Sequence, residues 1–307
     1  MNDQNIAEWK SGEIFLEDEY ACMYAKHRKY ILTKILNNTC FLIKRPIIGI
    51  VKANVFYYNG NVNEFIDECY RLSKEKNIPY IEIQTSITDK AFLQFPHKNT
   101  GTYIINLHDD IETIWNNLNK KARNQIRQAR KKNVEVVITD SEKDFLEWWD
   151  IYSKTANHKE FILESYNLTK ELFEKKEISR LFVAKIGNKI VSGNLIILSN
   201  TEVIWKLGGS DREFSEFRPN HLLQWEIIEW SKKQGYSYYD MGGALPPRYD
   251  INGVPIDEGS GEGPSSFKRK FGGEYKEIYK YQIITNKLRY KINKALINAR
   301  FKLMRHL

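Results

Sequence analysis

Residues Thr201–Gly243 read TEVIWKLGGSDREFSEFRPNHLLQWEIIEWSKKQGYSYYDMGG, one sweep of strand, loop, helix and strand. Glu202 to Leu207 is β-branched and aromatic, which suits a half-buried pleated surface. Gly208-Gly209 is expected to end that strand, and the polar loop to Arg218 shows no apolar periodicity. Pro219 fits a first helical position, where a missing N–H costs nothing. Leu223, Ile227 and Trp230 then recur at helical spacing, and Leu222, Trp225 and Ile228 widen the stripe. Glu226, Glu229 and Lys233 fall on the other face, with Glu229 and Lys233 spaced as an i,i+4 pair. Gly235 is a natural residue to close the helix. Tyr236 to Met241 reads as the return strand, closed by Gly242-Gly243. The helix start between two glycine-rich strand ends suits an anionic or acyl-bearing group, because it offers N–H donors and a positive dipole end.

Outward from that unit, an antiparallel meander precedes it: Arg180 to Ile186, a Gly187-Asn188 turn, Lys189 to Leu198, then Glu202. Earlier, residues 14–36 look helical. Cys40 to Ile43 and Ile47 to Tyr58 look like strands, and Asn63 is expected to cap a helix over Glu64 to Lys76. Strands follow at Pro79 to Gln84 and Thr102 to Leu107. Ile111 to Asn133 reads as one helical segment, with seven cations and no acid between Lys120 and Lys132. Arg123, Arg127 and Lys131 stack at i, i+4, i+8, a self-repulsive row that needs an anion or a packed neighbour to offset it.

The 307 residues allow two domains, and 42% hydrophobic with 13% aromatic content describes a globular chain. No apolar run nears the roughly 20 residues that span a bilayer, and the start MNDQNIAEWKSGE lacks the pattern of a signal peptide, so a cytoplasmic location is expected. Cys22, Cys40 and Cys69 are isolated and are expected to be buried and reduced. The six histidines form no ligand pair, so no metal site is expected. The net charge of +8 is uneven: residues 267–307 hold 12 Lys/Arg against Glu274 and Glu277, leaving the rest net −2. Such a tail fits RNA, a phosphate-bearing substrate or an anionic membrane face, or is simply a solvated helix face. Leu288, Ile292, Leu296 and Phe301 give it an apolar side, expected to pack back on the first domain.

Three ordered motifs carry a resemblance. Pro219-Asn220-His221-Leu222-Leu223-Gln224-Trp225 is followed by Gly235 with Tyr239-Asp240-Met241-Gly242-Gly243, then by Phe267-Lys268-Arg269-Lys270-Phe271-Gly272-Gly273. Their order and spacing resemble the Fem family of non-ribosomal peptidyltransferases, within the GNAT acyltransferases. The resemblance implies an α/β (α+β) fold of two tandem GNAT-like domains, with mixed, mostly antiparallel sheets flanked by helices. Residues 1–140 would form a degenerate first domain, 141–279 the acyltransferase domain, and 280–307 the returning tail. It also implies aminoacyl transfer from charged tRNA to an amine of a cell-envelope precursor, such as a muropeptide or sugar amine. No cofactor is implied, aminoacyl-tRNA being a co-substrate, and peripheral contact with the inner membrane face is expected.

By residue match, Phe267 would receive the aminoacyl-tRNA end and Lys268 would stabilise developing negative charge. An aromatic face suits adenine and an ammonium suits an oxyanion. Asp240 is either a general base or a carboxylate shaping the turn with Gly242 and Gly243. Arg218 is either a phosphate contact or a surface residue. Lys121, Arg123, Ile126, Ala129 and Val134 match a segment that joins the two domains in the family, so Arg123 and Arg127 are either architectural or substrate-binding. Two departures stand out. His158 occupies the place of an arginine that helps hold acceptor phosphates, and the Gln-Ser…Trp…Lys pattern is absent around Glu17 to Lys26. The loop before Pro219 lacks the pyrophosphate-binding glycine repeat of ordinary GNAT enzymes. A CoA-dependent N-acyltransferase using acetyl-CoA on a surface-polysaccharide sugar is therefore the alternative. A non-catalytic RNA- or membrane-binding basic module is the third reading.

Overall fold

The computed structural model describes residues 18–34, 39–44, 52–57, 60–159, 161–249, 255–256 and 263–304. The chain packs as two compact units. One is built on Gly101–Lys276; the other combines Lys10–Thr100 with Glu277–Leu307. The division therefore falls at residue 100, inside a strand, and the basic segment after Asp110 belongs to the larger unit.

In the smaller unit, α1 (Asp18–Arg28) gives way to β1 (Tyr30–Lys34), which pairs antiparallel with β2 (Thr39–Lys44). The single helix expected over residues 14–36 is thus shorter. Lys29 takes a left-handed φ of 56°, and the β-branched run after it finds a strand partner. Cys22 is exposed on α1, against expectation, whereas Cys69 is buried. Next come β3 (Lys52–Tyr57), α2 (Val62–Glu75) and β4 (Tyr80–Thr85), a crossover whose two strands pair in parallel. Asn61, not Asn63, caps α2, its carbonyl accepting from the Asn63 and Glu64 amides. Phe65, Cys69 and Leu72 bury one helical stripe against Val55, Ile81 and Ile83.

The larger unit begins in β5 (His97–Asn106) and continues through α3 (Ile111–Asn117) and α4 (Lys120–Lys131). The helix expected over residues 111–133 is broken, because Leu118 is extended and Asn119 starts a new helix by capping Lys121. There follow β6 (Val134–Thr139), α5 (Glu142–His158), α6 (Tyr166–Glu174), β7 (Ser179–Ile186), β8 (Lys189–Leu198) and β9 (Glu202–Ser210). After a 3-10 turn come α7 (Pro219–Lys233), β10 (Tyr238–Ala244), the short pair β11 (Arg248–Tyr249) and β12 (Pro255–Ile256), and α8 (Pro264–Arg269). The unit's sheet order is β5-β10-β9-β8-β7-β6, with only β9 and β10 parallel. Gly235, at φ 87°, closes α7 as read from sequence. Leu222, Leu223, Ile227 and Ile228 are buried with Tyr239 and Met241.

Gly208-Gly209 does not end β9; both lie inside it. A Cβ on Gly209 would sit 2.6 Å from the Tyr152 Cα, so the glycine lets α5 approach the strand. The basic row of α4 is offset within the unit. Arg130 bridges Glu226 at 2.9 Å and Glu229 at 3.2 Å on α7, so Glu229 pairs across helices and not only along its own.

The chain returns to the smaller unit through β13 (Glu274–Ile284), antiparallel to β4, and α9 (Lys287–Met304). The tail docks by the face opposite to the one expected. Tyr290 stacks edge-on against Tyr80 and donates to Gln282 at 2.7 Å, while Asn293 is buried. Leu288, Ile292 and Leu296 point outward.

Candidate active site

The parallel strands β9 and β10 pair from Glu202↔Tyr238 to Ile204↔Asp240, and there the pairing stops although both strands run on. At the same place β10 slips register against β5 between Asp240 and Gly243. Gly242, at φ 75°, makes the slip, a conformation that a Cβ would strain and that would also bring it to 2.8 Å from the Trp205 carbonyl. The two strands thus part there, with Gly243 exposed and Met241 and Ala244 buried beyond the last pair.

Lys268 enters that opening from α8. Its side chain is buried, its Nζ donates to the Gly243 carbonyl at 2.7 Å, and it stands 5.0 Å from the centre of the Trp205 ring. Burial pulls the ammonium down to about 8, with the Asp240 charge opposing the fall. Asp240 is buried as well, and burial raises its carboxyl above the ordinary value. The Thr102 hydroxyl, the Gly242 amide at 2.7 Å and the nearby Lys268 act against that rise. The two charges are mutually dependent: each lowers the cost of holding the other away from water.

Phe267 is half-buried next to Lys268, its ring meeting His221 at 5.0 Å, Phe271 at 5.2 Å and Trp205 at 6.2 Å. It is a wedge between α7 and β9 more than an open stacking platform. Asp240, Gly242 and Gly243 join Lys268 in one cluster. The other expected residues stand apart. Arg123 directs its guanidinium at the carbonyls of Asn116 and Leu118, both at 2.7 Å, and so closes the end of α3. Arg127 lies exposed over Trp115, 5.4 Å from its ring centre. His158 is exposed in the last turn of α5. Arg218 is exposed and left-handed (φ 58°) immediately before Pro219, without capping α7 by its side chain.

Three contributors were not singled out from the sequence. Thr102 reaches both Asp240 and the Gly242 carbonyl (2.9 Å) from 138 residues away, and no local pattern marks it. Trp205 reads as core, yet it faces the lysine. His221 lies inside the Pro219–Trp225 motif, which was the available signal. Beyond this cluster, a cavity of 170 Å³ opens between Ile104, Asn106, Asp109, Asn117, Phe271 and Glu274.

A parallel strand–helix–strand crossover whose strands part at its glycines, with a mixed sheet on both sides, is the architecture of the GNAT fold. Residues 119–255 match the family described as acetyltransferase (GNAT) domain. A lipid II:glycine glycyltransferase of Staphylococcus epidermidis is 26% identical over 159 residues, 50% of this chain and 36% of that protein. The matched region thus spans little more than a third of that relative. The crystal structure of FemX superposes with a TM-score of 0.71 at 14% identity, covering 95% of this chain and 98% of the other. L-PGS from Bacillus licheniformis follows the same fold at a TM-score of 0.59 and 14% identity, over 86% and 91% of the chains. Together these show a GNAT-type fold and a similarity to proteins of the Fem type.

Proposed function

We propose that the chain transfers an aminoacyl group from charged tRNA to an amine of a cell-envelope precursor, on the cytoplasmic side where charged tRNA is found. The observation that carries this reading is the buried Lys268 ammonium at the opening between β9 and β10. An ammonium has three N–H donors, and Gly243 takes one. A second can meet the oxygen of an ester carbonyl as charge develops on it.

The acceptor amine attacks the carbonyl carbon of the aminoacyl ester, forming the C–N bond as electrons move to the carbonyl oxygen. Collapse breaks the ester C–O bond, and the proton lost by the attacking nitrogen ends on the departing ribose oxygen. Lys268 holds the oxyanion; Asp240 keeps Lys268 charged and aligned. Phe267 sets one wall of the opening. The acceptor is taken to be lipid-linked because the Staphylococcus relative is named for lipid II.

The test uses purified protein with a charged minihelix and, separately, CoA. Minihelix binding with a steep salt dependence, and transfer of the radiolabelled amino acid to a lipid II acceptor, are expected. Tight, salt-insensitive CoA binding with acetyl transfer would overturn the donor assignment in favour of a CoA-dependent N-acyltransferase.

A further inference from the structure

Helix α9 has the sequence KLRYKINKALINARFKLM, without one acidic residue. Its inward face is fixed by Tyr290 against Tyr80 and by the buried Asn293, and Arg289 bonds the Asn77 side chain. These contacts set the helix's rotation. Leu288, Ile292 and Leu296, spaced i, i+4, i+8, then lie on the outward face and are 70%, 50% and 39% exposed. The stripe runs about 12 Å along the axis at 1.5 Å per residue. Exposed Lys287 and Lys291 border one side of it, and Arg289 borders the other.

We infer that this face of α9 lies on an anionic lipid surface, with Leu288, Ile292 and Leu296 entering the headgroup boundary and Lys287 and Lys291 meeting lipid phosphates. An amphipathic helix with an apolar stripe between cations, held parallel to the surface by its other face, is the geometry of an interfacial helix. The charge pattern selects this occupant. A second copy of the chain packed stripe to stripe would bring two basic borders together at a cost. A nucleic acid backbone would use the lysines but leave the exposed leucines and isoleucine in water. The contact would hold the protein at the surface where a lipid-linked substrate resides, yet it does not depend on the acyl-transfer chemistry.

The full chain is tested by co-sedimentation with phosphatidylcholine vesicles, with and without phosphatidylglycerol. Binding to the anionic vesicles is expected. Changing Leu288→Gln, Ile292→Gln and Leu296→Gln together should lower the partition constant on the order of tenfold. Changing Lys287→Gln and Lys291→Gln together should lower it roughly thirtyfold. All five side chains are exposed, so circular dichroism and urea midpoints should match the wild type. Should the apolar variant nonetheless misfold, the lysine pair carries the test alone. No binding by the wild type, or equal binding by wild type and lysine variant, overturns the inference. So does a dimer abolished by the apolar changes, or single-stranded RNA binding that only the lysines affect, in a chain that ignores vesicles.

Discussion

Lys268→Met should make the protein more stable and much less active. The stem length survives, so packing against Trp205 and β10 is retained. The lysine's fall from 10.5 to about 8 on folding, at about 1.4 kcal/mol per pH unit, means that its charged form costs the folded state roughly 3 kcal/mol. Removing it also leaves the Gly243 carbonyl without that donor, a loss of about 1–2 kcal/mol. The net gain at pH 7 is then roughly 1–2 kcal/mol. Because the folded-state value is lowered, the unfolded chain binds more protons between pH 8 and 10.5, and wild-type stability rises with pH across that window. The variant's advantage should therefore be full below pH 8 and reversed by about pH 10.5, where the lost hydrogen bond outweighs what remains of the charge cost. Urea midpoints of both proteins at pH 7 and pH 10.5 give the comparison. Turnover should fall on the order of a hundredfold to a thousandfold, as for loss of one oxyanion donor. A variant less stable than wild type at pH 7, or stabler by the same margin at both pH values, would refute the account of a strained buried ammonium. Unchanged turnover would remove Lys268 from the chemistry.

Asp240→Asn removes the charge that holds Lys268 protonated, so the alkaline limb of the transfer rate, set near pH 8 in the wild type, should move to lower pH. A pH–rate profile that keeps its alkaline limb would show that Asp240 does not act through the lysine. Arg123→Ala should lower stability by about 1–3 kcal/mol, since the carbonyls ending α3 lose their charged donor. Its KM for acceptor should not change, and a large KM effect would return Arg123 to the substrate site.

The crossover was legible because its cues are local: Pro219 at a first helical position, Gly235 in the left-handed region, and apolar spacing of 3.6 between two β-rich runs. The opening in the sheet was not. It depends on Gly242 slipping β10 against β5, and the residue that stabilises the slip, Thr102, is remote in sequence. The same limit explains Gly208-Gly209, which look like a stop until the Tyr152 backbone is seen packed against Gly209. For Lys268 the motif gave the residue but not its burial, and burial decides its charge state. The arginines of α4 show the converse. Their spacing asked for an anion or a packed neighbour without saying which, and carbonyls, an indole and two glutamates from α7 lie against Arg123, Arg127 and Arg130. On α9 the periodicity located an apolar side correctly and still misassigned its partner, because Tyr290 and Asn293 hold the helix by another face.

The parallel crossover occurs twice in this chain. In the smaller unit β3 and β4 stay matched from Ala53↔Ile81 to Phe56↔Gln84, one residue short of both strand ends, with no glycine in either strand. In the larger unit the matching covers three pairs of strands nine and seven residues long. A crossover matched almost to its ends presents a continuous plate; one whose matching stops early leaves a gap between its strands. Repeating the motif thus gives the chain one closed copy and one parted copy, and the buried lysine stands at the parted one.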